Sequence, residues 1–130
     1  MKMKFSIGYK THWGESMQLE LTFAAADGYQ DTMSLPLTTQ DGYNWTVETA
    51  TRQNRHHPYV AIAYYYMVKD GEGRVKRRES LLADREYIYN DSHNYLFNDT
   101  WLDDENEGKA NYFANITKKK ALAVNPSHMP

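Results

Sequence analysis

Residues 17–23, MQLELTF, alternate without a break: Met17, Leu19, Leu21 and Phe23 are apolar, and Gln18, Glu20 and Thr22 are polar. A period of two places one set on each side of an extended backbone, whereas a helix would spread the same residues around its circumference. A strand with one buried face follows, and it needs neighbours to hydrogen-bond and a second layer to cover it. Phe5, Ile7 and Tyr9 repeat the pattern upstream. The short link between the two runs, THWGES, holds one glycine, which fits a hairpin or a crossing between two sheets.

The rest of the chain to residue 102 reads the same way. YVAIAYYYMV (59–68) is the longest apolar run and is rich in β-branched and aromatic residues, so it is the expected central strand. KDGEGR turns it back into a partner strand from Val75 to Ser80. Trp45 and Val47 share one face of a further strand after the Asp41-Gly42 turn, and MSLPL is a short strand that Pro36 confines to an edge. Glu86–Tyr89 and Asn94–Trp101 complete the set. Seven or eight short strands with regular turn signals predict an all-β fold, an immunoglobulin-like antiparallel β-sandwich over residues 1–102. Residues 103–130 open with an acidic run and lack a clear period; they are expected to be a linker or the start of a following domain.

Composition narrows the chemistry. The 130 residues contain no cysteine, which excludes disulfides and thiolate metal sites. The formal net charge is −2, which gives no global basic signal for nucleic acid or an anionic membrane. No apolar stretch is long enough to span a bilayer as a helix, and MKMKFSIGYK does not read as a signal peptide, so a cytoplasmic location is expected. The adjacent His56-His57 pair lacks the usual ligand spacings, so no metal is expected, and no cofactor motif is present. KDGEGR lacks the Lys-Ser/Thr of a phosphate loop, and no nucleophile motif occurs. The basic GRVKRRE is more simply a charged sheet edge that resists aggregation than a nucleic-acid contact.

The unusual feature is aromatic: 11 Tyr, 4 Phe and 3 Trp. Trp13, in HWGES, and Trp45, in DGYNW, both lie beside turn residues, and Tyr43, two positions from Trp45, is expected to face the same side. Such rings serve as core plugs or as flat platforms for a sugar, whose C–H face stacks on the ring while polar side chains meet its hydroxyl rim. The pattern alone leaves both roles open.

Four blocks in order resemble carbohydrate-binding module family 20, the starch-binding domain. FSIGYKTHWGESMQLEL is similar to its first two strands with their T-x-aromatic-Gly-Glu corner. AYYYMVKDGEGRVKRRE is similar to its EYK…DG…WE hairpin, ADREY to its NREY and NDTW to its TDTW. The opening is most similar to the N-terminal modules of disproportionating 4-α-glucanotransferases of glycoside hydrolase family 77. The resemblance implies a non-catalytic module that binds α-1,4-glucan (starch, glycogen, maltooligosaccharides or cyclodextrin). It also implies a second such module and a catalytic barrel in the same polypeptide. One site would use Trp13 and Trp45, with Tyr43 beside them. The family's other site uses three residues that this sequence lacks; it is either lost or rebuilt from Tyr29, Tyr65 and Arg78, with Glu79 next to Arg78. The alternative is a degenerate module that no longer holds glucan and serves interdomain packing or dimerisation.

Overall fold

The computed structural model describes residues 1–79 and 85–102. The expected segment 103–130 and the end of the partner strand at Ser80 lie outside the described residues. Among the described residues, nine strands follow in chain order: β1 (Lys2–Gly8), β2 (Ser16–Ala25), β3 (Gln30–Pro36), β4 (Thr38–Thr39), β5 (Asn44–Ala50), β6 (Tyr59–Lys69), β7 (Val75–Arg78), β8 (Glu86–Ile88) and β9 (Tyr95–Thr100). They form two sheets. One runs β4-β5-β1-β9; the other runs β3-β2-β6-β7, with β8 also pairing β6.

The all-β sandwich is as the alternation dictates. Met17, Leu19, Leu21 and Phe23 on β2 are each at most 2% exposed, as are Phe5 and Ile7 on β1. Each side chain withdrawn this far from water contributes about 1.5–3 kcal/mol. Across the inter-sheet space the Phe5 ring lies 4.9 Å from Tyr64, and within its own sheet it stacks 5.0 Å from Phe97 on β9, centroid to centroid. The longest strand, β6, is the hub of its sheet: it pairs β2 along one edge and both β7 and β8 along the other.

The structure decides one open choice and differs from the sequence reading at two points. The THWGES link is not a hairpin but a crossing, since β1 and β2 belong to different sheets. The sandwich is not wholly antiparallel: β9 lies parallel to β1, with Phe5 opposite Phe97. Met33 to Pro36 of MSLPL are the end of a seven-residue strand, β3, paired to β2 from Gln30 to Pro36. Its strand character and edge position were readable, but not its length, because β3 is exposed along most of its length and carries no strong alternation.

Candidate functional site

The crossing from β1 to β2 is a built corner. Gly14 takes φ +86°, a conformation that favours glycine over residues with a Cβ. The Glu15 amide donates to the His12 carbonyl (3.0 Å), and the His12 amide donates to Glu15 Oε1 (2.7 Å). Glu15 Oε2 lies 2.6 Å from Lys76 Nζ, and the Glu15 side chain is only 7% exposed. The His12 amide first, and the Lys76 ammonium second, hold the Glu15 carboxyl below its usual range. Trp13 stands at the centre of this corner and is wholly exposed, at 102%.

A second turn is fastened beside it. The Tyr9 amide donates to the Tyr43 carbonyl (2.9 Å), and the Thr11 amide and hydroxyl both reach the Gly42 carbonyl (3.1 and 3.0 Å). Asp41 Oδ1 accepts from the amides of Tyr43 and Asn44 (2.9 and 2.8 Å). Those backbone donors, with Asn44's first, hold the Asp41 carboxyl far below its usual range. Tyr43 is 52% exposed. Its ring lies across Gly8, where a Cβ would sit 3.1 Å from the phenol oxygen. The structure thus brings the Trp13 corner and the Tyr43 turn to one end of the sandwich.

Trp45 does not join them. It is 6% exposed and belongs to the core, opposite Ile7 on β1. The expectation that Tyr43 and Trp45 face one side fails because β5 begins at Asn44. Tyr43 belongs to the turn, so strand alternation does not extend to it. Trp45 is therefore a packing residue, and its indole is not available as a stacking face.

The second candidate set is dispersed. Arg78 is exposed, with its guanidinium carbon 5.6 Å from the Tyr65 ring centroid, on the outer face of the five-stranded sheet. Tyr29 belongs to the opposite end. Its carbonyl accepts from the Ala25 amide, and Ala25 pairs with Tyr59 at the start of β6. Six residues of strand, about 20 Å, separate Tyr59 from Tyr65. Tyr29 instead stacks on His57 at 4.1 Å and 8°, and Asp27 accepts or shares a hydrogen with His57 Nδ1 at 2.7 Å.

Glu79 is not a surface residue at all. It is 2% exposed; Oε1 accepts from the Tyr66 amide (2.9 Å) and Oε2 from the Leu102 amide (2.8 Å). Arg85 donates to the same carboxylate and to the Thr100 carbonyl (2.7 Å). Asp99 Oδ2 accepts from the hydroxyls of Tyr64 and Tyr66, both at 2.8 Å. Glu79 of RRE, Arg85 of ADREY, and Asp99 and Thr100 of NDTW thus meet in one buried polar network that ties the sheets together. Their shared feature is structural. Sequence reasoning passed over Arg85 and Asp99, although two of the quoted blocks contain them.

Among the described residues no group of three or more His, Cys, Asp and Glu side chains is placed to hold a metal ion. No protein-family model and no curated protein matches the chain. Among solved structures, it is similar to a glycoside hydrolase family 15 glucoamylase from Hypocrea jecorina, with a TM-score of 0.52 and 16% identity. That likeness covers 78% of this chain but only 17% of the glucoamylase. A leucine-rich repeat protein from Bacteroides thetaiotaomicron is more distant, with a TM-score of 0.47, 12% identity and coverage of 79% and 12% of the two chains. At such identities the likeness to the glucoamylase is one of fold alone. The chain spans a small part of each of these proteins.

Proposed function

We propose that this chain is a non-catalytic module that binds α-1,4-glucan at the Trp13 corner, with glucose stacked on the Trp13 indole and Tyr43 beside it. The observation that carries the reading is a wholly exposed tryptophan on a corner held by a nearly buried carboxylate. A lone exposed apolar residue is common. An indole held out on a fastened turn, beside a half-exposed tyrosine on a second fastened turn, is the arrangement a sugar platform needs. The resemblance of THWGE to the starch-binding corner, and a fold neighbour that is a glucoamylase, agree with it.

The module breaks no bond. In a longer polypeptide it holds a polymer chain near an attached catalytic domain, such as the 4-α-glucanotransferase the sequence resembles, and raises the effective substrate concentration there. A cytoplasmic setting and a companion module belong to the same reading. With one or two rings in play, affinity is modest, at a Kd of ~10 µM to 1 mM, or about 4–7 kcal/mol.

Calorimetric titration with maltoheptaose tests this. Trp13→Ala is expected to lose binding at least tenfold while Tm stays unchanged, since the side chain packs against nothing. Equal binding by variant and parent would remove Trp13 from the site. A parent chain that ignores millimolar maltooligosaccharide, and self-associates instead, would favour the degenerate packing module.

A further inference from the structure

Segment 9–15 carries Trp13, and two consecutive residues of β7 reach its two ends. Lys76 Nζ meets Glu15 Oε2 at 2.6 Å on the C-terminal side. Arg77 donates to the Tyr9 hydroxyl on the N-terminal side, and its guanidinium carbon lies 5.6 Å from the Tyr9 ring centroid and 5.5 Å from that of Trp101. The Tyr9 and Trp101 rings are themselves 4.7 Å apart and inclined at 47°, so the cation, the phenol and the indole form one cluster. Adjacent residues on a regular strand point to opposite faces. Here the register shifts: Arg77 faces Val68 and Val75 faces Lys69, which leaves Lys76 as the extra residue of a bulge. Bulges re-aim side chains, and this one lets Lys76 and Arg77 converge on a single segment. The β6–β7 turn also comes close, since a Cβ on Gly71 would lie 3.5 Å from the Gly14 carbonyl oxygen.

We propose that Lys76 and Arg77 are positioning residues for the Trp13 platform, gripping its corner from both ends so that the indole is set before ligand arrives. The proposal rests on the glucan reading above. Neither residue touches the sugar. Each removes freedom from the segment that would otherwise be lost on binding. The basic run on β7 thereby acquires a role within the protein.

The test uses the whole 130-residue chain with Lys76→Met, Arg77→Met and Lys76→Arg. Maltoheptaose affinity is read by calorimetry, and fast motion of each tryptophan indole by 15N relaxation, with the Trp13 signal assigned by its loss in Trp13→Ala. Both methionine variants are expected to weaken binding about three- to tenfold, the scale of ordering one short segment. They should also raise Trp13 indole mobility while Trp45, in the core, is unchanged. Lys76→Arg should restore both quantities. An unaltered Trp13 indole in the methionine variants overturns the proposal. If Arg77→Met lowers Tm through the loss of its ring contacts, half-exposed Lys76 still decides. If the parent does not bind maltoheptaose, the glucan reading fails, and indole mobility alone judges the clamp.

Discussion

Trp13 and Trp45 are both beside turns, and both fit the same sugar-platform pattern, yet one is 102% exposed and the other 6%. The difference is one of parity. Trp45 lies inside β5 on the face that pairs with Ile7 and points to the core, while Trp13 lies between strands on a corner that belongs to neither sheet. Composition and local pattern do not contain that distinction, because it depends on where β5 begins. Trp45→Ala is therefore expected to act on stability. Removing a buried indole costs about 3–5 kcal/mol through lost burial and the cavity left behind. Urea unfolding of the variant checks this. A loss of glucan affinity with unchanged stability would return Trp45 to the binding surface. Tyr43 is intermediate: its ring is half exposed because Gly8 leaves room beneath it.

The corner element is stabilised by a carboxylate, so its order depends on pH. Glu15 accepts the His12 amide and pairs with Lys76; His12 and Lys76 are the titratable groups that bear on it, and the His12 amide has the larger effect. Its folded pKa lies below the ordinary glutamate value, so the contribution is complete above that value, and is lost as pH falls through the lower folded one. An NMR titration of the His12 amide is expected to show a midpoint below ~4.3, the usual glutamate pKa. A midpoint at or above that value would mean that the capping bond does not favour the ionised form. Much of this element was legible: WGE marks a turn, and the alternation of β1 and β2 frames it. The crossing between sheets was left open because link length and one glycine suit a hairpin equally well. The clamp from β7 was illegible for a different reason. Lys76 and Arg77 converge through a register shift against Val68 and Lys69, and the local sequence of β7 carries no sign of it.

At the scale of the molecule, the sandwich was legible because alternation marks β1 and β2 and a continuous apolar run marks β6, whereas the parallel β9 rests on long-range pairing that no local pattern encodes. The inner face of β6 is also where aromatic richness meets buried charge. Tyr64 and Tyr66 donate to Asp99 at 2.8 Å each, and the Arg85 guanidinium carbon lies 5.6 and 5.1 Å from their ring centroids. Burial first, and the Asp99 charge second, push both phenols well above the usual tyrosine range. Tyr59, Tyr89 and Tyr95 are also pushed up, chiefly by burial. A group whose folded pKa is raised stabilises the fold fully below its unfolded value, and that stability drains away as pH rises toward the folded value. Stability is thus expected to be insensitive to these groups below the ordinary tyrosine value of about 10 and to fall steeply above it. Thermal unfolding across that range should show Tm declining together with cooperative release of buried phenolates, seen as a rise in phenolate absorbance. Tyr66→Phe keeps the ring but removes one donor to Asp99 and one ionisable group, so it should lower Tm at neutral pH and flatten the alkaline decline. A parent protein whose tyrosines all ionise near 10 with no loss of structure would show that the β6 phenols are not sealed between the sheets.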